Sequence, residues 1–199
     1  MDCRNCGAPM ELFERRRYYY CNHCGTFHFI ETAAIEGVRV LGPHDAALSC
    51  PVCKAALVRA LLDDRSLVQH CEQCRGLLIA RPTFGEAVWA RRARASGLVV
   101  PPQPLDRREL ERHIACPSCR AQMDVHPYYG PGNIVIDSCS RCNLIWLDHG
   151  ELQQITDAPG SDRGTGAPVP RDPAANIEPP PPMRLSKRIS LMDLWDLLD

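Results

Sequence analysis

Twelve cysteines, every one of them in a Cys-x-x-Cys pair, carry the chemistry that this sequence can do. The pairs are Cys3/Cys6, Cys21/Cys24, Cys50/Cys53, Cys71/Cys74, Cys116/Cys119 and Cys139/Cys142. Within successive couples of pairs, 14, 17 and 19 residues intervene, whereas 25 and 41 residues separate one couple from the next. The short gaps therefore define three units. Two residues between cysteines let a tight turn present both sulfurs to one side, and a hairpin that joins two such turns completes a tetrahedron of sulfur around one metal ion.

Cysteines in this number imply either disulfides or metal, and compartment decides between them. The sequence opens Met1-Asp2-Cys3 with no basic stretch leading into an apolar run, and it holds no apolar segment of membrane-spanning length. This predicts a cytoplasmic chain without a signal peptide or membrane contact, in which thiols stay reduced and metal is the default. Rubredoxin-type iron takes four thiolates at similar spacing, but three tandem copies and few aromatic residues favour zinc. A thioredoxin-like redox pair requires one Cys-x-x-Cys beside a βαβ unit, and that pattern is absent here. The expectation is three structural Zn²⁺ ions. With four protein ligands each, such sites leave no open position for bound water, so the sequence predicts no enzyme and no small-molecule substrate.

The elements that position these ligands are few. Aromatic residues make up only 6% of the chain and prolines number eighteen, so stability must come largely from metal. The predicted fold is a small metal-stabilised α+β arrangement of three tandem zinc ribbons with short flanking helices. Ribbon one is assigned to 1–42. Ribbon two and a basic helix occupy 48–97, and a short helix with ribbon three occupies 105–157. A Pro/Gly-rich tether at 158–183 is expected to be disordered, and 184–199 to form an amphipathic helix.

After Cys142 the chain reads Leu144-Ile145-Trp146-Leu147-Asp148-His149-Gly150-Glu151-Leu152, and after Cys74 it reads Gly76-Leu77-Leu78-Ile79, then Thr83-Phe84-Gly85-Glu86. Both pass from a short apolar strand into a capping box, Asp148 with Glu151 and Thr83 with Glu86. A third box, Asp106 with Glu109, opens a predicted helix to Ile114. The third unit, with Cys116-Pro117-x-Cys119, Cys139-x-x-Cys142 and Trp146-Leu147-Asp148-x-Gly150-Glu151-Leu152, resembles the transcription-factor-IIB-like zinc-finger family of small bacterial proteins. The second unit keeps Cys50-Pro51-x-Cys53 and Gly76 but has Leu78-Ile79-Ala80 in place of Trp-Leu-Asp, and so looks like a diverged copy. The first keeps only the ligands. The resemblance implies structural zinc on the matching cysteines and no enzymatic activity.

Candidate partner sites lie outside the ligands. Arg91, Arg92 and Arg94, on a helix predicted over 84–96, are candidate nucleic-acid contacts; they would equally favour the helix C-terminal dipole. Arg15-Arg16-Arg17-Tyr18-Tyr19-Tyr20 reads either as a base-stacking platform or as a strand whose alternate tyrosines cover a small core. Leu191, Leu194, Trp195 and Leu198 recur at helical spacing and are candidate partner-binding residues. His23 and His70 touch complete ligand sets and need only be exposed or hydrogen-bonded, while His149 is expected to face solvent.

Formal charge is −1. Twelve thiolates and three Zn²⁺ would lower it by six, to −7, which opposes indiscriminate binding to phosphate. Residues 50–95 carry eight Lys/Arg against four Asp/Glu, whereas 116–157 carry two against five. Nucleic acid, if bound, is expected on ribbon two and a protein partner on ribbon three. An adaptor built on zinc ribbons is the favoured reading, and a nucleic-acid-binding, transcription-associated protein is the alternative.

Overall fold

The structure, a computed structural model, describes residues 1–30, 37–43 and 48–165, all within one compact unit, Met1–Val169. The C-terminal residues singled out above, Leu191 to Leu198, and most of the proline-rich tether lie outside the described residues.

Ribbon one is a three-stranded antiparallel sheet of β1 (Glu11–Phe13), β2 (Tyr18–Tyr20) and β3 (Phe27–Phe29). Strand alternation separates its tyrosines. Tyr18 and Tyr20 lie in register with Phe29 and Phe27 and make a ring cluster with Phe13, while Tyr19 pairs with His28 on the opposite face. The strand reading of the tyrosine run thus describes Tyr18 and Tyr20, and Tyr18 is 6% exposed.

Ribbons two and three do not stand apart as linked modules. Strands β4 (Val38–Pro43), β5 (Val58–Leu62), β6 (Ser66–His70) and β7 (Leu77–Ala80) join β10 (Leu144–Leu147), β9 (Val135–Cys139) and β8 (Asp124–Pro127) in one antiparallel sheet of seven. The boundary at residue 42 fails here, because β4 pairs with β5 of ribbon two along Val38↔Leu62 to Pro43↔Val58. The linker at 101–104 likewise separates nothing: the third strands of the two ribbons pair directly, Leu77↔Leu147 through Ala80↔Leu144.

That junction has local twofold character. Leu78 and Trp146 are each the fourth residue after the last cysteine of their unit, and they face each other in register. A site on such an axis receives side chains from both copies, and one indole fills it. Trp146 is fully buried, and Leu78 opposite it is 3% exposed. The departure of unit two from Trp-Leu-Asp therefore has a packing reason: a second indole at Leu78 would compete for the same space.

Alternation along these central strands makes two cores. Leu77, Ile79, Ile145 and Leu147 face a layer formed by α1 (Arg81–Arg94) and α2 (Glu151–Asp157), where Phe84, Ala87, Val88, Leu152 and Ile155 cover them. Leu78 and Trp146 face the other side, among the cysteines of ribbons two and three together with Leu57, Ile114 and Met123. Phe27 of ribbon one packs against this second core. Both faces of β7 and β10 are thus closed, which requires runs apolar at every position.

Two predicted helix starts move. The helix predicted over 84–96 begins three residues earlier, at Arg81, with Ala80 as N-cap and Pro82 in its first turn, so Thr83 is inside the helix and caps nothing. Proline's fixed φ and missing N–H suit the first turn and outweigh the Thr83/Glu86 signal. The stretch predicted as a helix from Asp106 to Ile114 is a 3₁₀ turn, Arg107–Glu111; Asp106 does accept from the Arg108 amide, but the Glu109 carboxylate turns away to Arg16.

Candidate metal centres

Each cysteine pair sits on a turn of the same construction. The amide of the first cysteine is bonded five residues on, beyond the turn, for Cys3 to Ala8, Cys21 to Thr26, Cys50 to Ala55, Cys71 to Gly76 and Cys116 to Ala121, while Cys139 stands in strand register with Leu144, also five residues on. The residue just after the second cysteine is left-handed in all six, with φ of 76° at Gly7, 71° at Gly25, 66° at Lys54, 58° at Arg75, 64° at Arg120 and 55° at Asn143. Four of these carry a side chain, at roughly 1–2 kcal/mol each. Zinc binding, worth on the order of 10 kcal/mol or more in such modules, offsets that cost.

These turns aim amides at sulfur. The amides of Val52 and Cys53 donate to Cys50 Sγ, that of Cys74 to Cys71 Sγ, and that of Cys142 to Cys139 Sγ, each at 3.4 Å. Three groups result: Cys3, Cys6, Cys21 and Cys24; Cys50, Cys53, Cys71 and Cys74; Cys116, Cys119, Cys139 and Cys142. The sulfurs of each group lie within 4.8 Å of one another. Cys6 and Cys21 are 3.5 Å apart, Cys53 and Cys71 3.4 Å, and Cys119 and Cys139 3.6 Å. A disulfide would need about 2.05 Å. A zinc tetrahedron with bonds of about 2.3 Å has edges of about 3.8 Å, so the donor sets fit zinc. All twelve predicted ligands are gathered as the spacing required, in three structural zinc sites.

The sites differ in cover. Ribbons two and three bury Cys50, Cys71, Cys74, Cys116 and Cys139, with Cys53, Cys119 and Cys142 half-buried. In ribbon one, Cys3 and Cys21 are buried but Cys6 and Cys24 are exposed.

Sequence reasoning missed an ionic lock between ribbons one and three. Arg16, on a one-turn 3₁₀ segment between β1 and β2, reaches Asp148 at 2.8 Å, Glu151 at 3.3 Å and Glu109 at 3.4 Å. Arg112 also pairs with Asp148 and lies 3.7 Å from Asp137. Asp148 accepts from Trp146 Nε1 at 2.9 Å, and Glu151 accepts from the Asp148 amide at 2.8 Å. The Asp148/Glu151 capping box is thus half made, because the Asp148 carboxylate serves the arginines instead of the helix, and Gly150 is the N-cap. Burial pushes Asp148 upward, but Arg16 and Arg112 overcome it and hold the carboxyl well below the usual range. Burial, then the neighbouring Asp148 charge, raises Glu151 to about 8. One ionised and one largely protonated carboxyl therefore face the guanidinium of Arg16 at neutral pH.

His149 does not face solvent as expected. Its ring meets Phe29 edge-on at 4.8 Å, and the Arg75 guanidinium lies over the same Phe29 ring, 4.0 Å from its centroid. His70 is buried with Nδ1 3.2 Å from the Gly76 carbonyl, and His23 is exposed, so both are as predicted.

Arg92 is 1% exposed; it donates to the carbonyls of Ile155 and Ala158 at the end of α2 and forks onto Asp162 at 2.5 and 2.6 Å. Arg91 forks onto Asp63 at 2.9 and 2.8 Å. Only Arg94 is exposed, 3.4 Å from Asp63. Arg91 thus ties α1 to Asp63, and Arg92 ties it to Asp162 and the end of α2.

Residues 49–84 and 115–158 match the family described as transcription factor zinc-finger. Those segments are ribbons two and three. No curated protein and no solved structure matches the chain.

Proposed function

We propose that this protein, whose second and third ribbons are zinc ribbons of the transcription factor zinc-finger family, is a non-enzymatic cytoplasmic adaptor that presents a rigid zinc-built platform to another protein. The observation that carries the reading is the internal use of Arg91 and Arg92. The helix that would have addressed phosphate is spent on Asp63, Asp162 and the end of α2. Four-sulfur ligation in all three sites supports a structural role for the metal. A low formal charge, lowered further by thiolates, also disfavours a phosphate backbone. Leu191, Leu194, Trp195 and Leu198, which recur at helical spacing in the sequence, are the proposed partner anchors.

The second reading, nucleic-acid binding in a transcription complex, is favoured by the family description of ribbons two and three. Salt separates the two. Zinc-loaded protein is titrated against random-sequence DNA between 50 and 200 mM salt: the adaptor reading expects no salt-dependent binding, and a steep salt slope overturns it. Deleting residues 183–199 is expected to leave melting and zinc content unchanged while a co-purifying protein is lost. A drop in thermal stability with no change in co-purification would assign the segment to the protein's own core.

A further inference from the structure

The three zinc centres differ in the access they give to their sulfurs. Cys6 and Cys24 are both exposed, whereas no ligand of the other two centres is. The difference follows from the fold. Centres two and three sit under the seven-stranded sheet, among Leu57, Leu78, Ile114, Met123 and Trp146. Ribbon one brings only its own three short strands, and its aromatic cluster is directed at the rest of the protein. Thiolate chemistry with oxidants follows exposure as well as ionisation, and zinc keeps all twelve thiols ionised, so exposure is what remains to distinguish them.

We propose that the first zinc centre, Cys3/Cys6/Cys21/Cys24, is a peroxide-reactive modification site that is oxidised and gives up its metal ahead of the other two. The inference is independent of the adaptor reading and needs only that the sites hold zinc.

The chemistry balances with hydrogen peroxide as the oxidant. The Cys24 thiolate attacks one peroxide oxygen, the O–O bond breaks, hydroxide leaves and a sulfenic acid forms. Cys3, whose sulfur is 3.6 Å away, attacks the sulfenic sulfur, an S–S bond forms and a second hydroxide leaves. Cys6 and Cys21, 3.5 Å apart, consume a second peroxide in the same way. Four thiolates lose four electrons to two peroxides, four protons turn the hydroxides into water, and Zn²⁺ departs from a site with no thiolate left. The buried partners Cys3 and Cys21 resolve the sulfenic acids from within, so further oxidation is intercepted.

The test uses the full chain loaded with zinc at all three sites. A chromogenic chelator in solution follows zinc release under sub-millimolar hydrogen peroxide, and alkylation with mass spectrometry maps the thiols lost. The expected result is a fast phase of one zinc equivalent, with loss of alkylation confined to Cys3, Cys6, Cys21 and Cys24, followed by much slower release of the other two. The variant with those four cysteines changed to serine should hold two zinc ions and lack the fast phase. Release of all three zinc ions in one phase, or first loss of thiols in centre two or three, overturns the proposal. Should that variant fail to fold, the thiol map of the unaltered chain decides alone.

Discussion

The indole of Trp146 lies against the bare Cα of Gly76, so that a Cβ built on Gly76 would stand 2.7 Å from Cη2 and 2.9 Å from Cε2, and closer still to Cζ2. This contact ties unit two to unit three at the pairing of β7 with β10 and gives the glycine of the diverged copy its role. Gly76→Ala should destabilise the protein by about 1–3 kcal/mol through overpacking. Combining it with Trp146→Leu should cost less than the sum of the single changes, since the methyl then has room. Denaturant melts of the four proteins check this; strict additivity would mean that the indole and the glycine do not share one site.

In a chain of separate modules, Cys139→Ser would remove one zinc and leave the other two units intact. The shared sheet changes that expectation. Cys139 ends β9, which pairs with β10, and β10 pairs with β7 of ribbon two. Loss of the third site should therefore weaken ribbon two as well, with zinc content falling by more than one equivalent and hydrogen exchange accelerating through 58–80. Cys21→Ser, next to β2 in ribbon one's separate sheet, should cost one equivalent only. Zinc analysis with exchange mass spectrometry distinguishes the outcomes.

The carboxyl pair at Arg16 gives a pH signature. Asp148 is held below its ordinary value, so its contribution is present above about pH 4 and is lost as pH falls further. Glu151 is raised to about 8, so the folded state holds a proton that the unfolded state has released, and stability declines from about pH 4.3 up to about pH 8. Glu151→Gln should flatten that decline. Melting temperatures of zinc-saturated protein between pH 6 and 8 test it, and an unchanged slope would remove Glu151 as its source.

Arg92→Ala should be the most damaging arginine change on α1. It strands the carbonyls of Ile155 and Ala158 and leaves Asp162 without its fork, at about 3 kcal/mol or more. Arg94→Ala, at a side chain 56% exposed, should stay within about 0.5 kcal/mol. Thermal melts of the two variants check the ordering.

Spacing alone determined the metal chemistry. Ligands two apart, coupled over 14 to 19 residues, close small loops, and such local closure is written in the sequence. The separation of Tyr18 and Tyr20 from Tyr19 was equally legible, because a strand alternates whatever surrounds it. Partner choice between units was not. Leu77-Leu78-Ile79-Ala80 and Leu144-Ile145-Trp146-Leu147 are apolar at successive positions, a mark of strands covered on both faces, but nothing local says that each covers its edge with the other. The fate of the charges was likewise tertiary. Arg16, Arg91 and Arg92 carry the same guanidinium as Arg94, and only the folded chain, by bringing Asp148, Asp63 and Asp162 to the first three, decided which arginines hold the structure together and which one faces water.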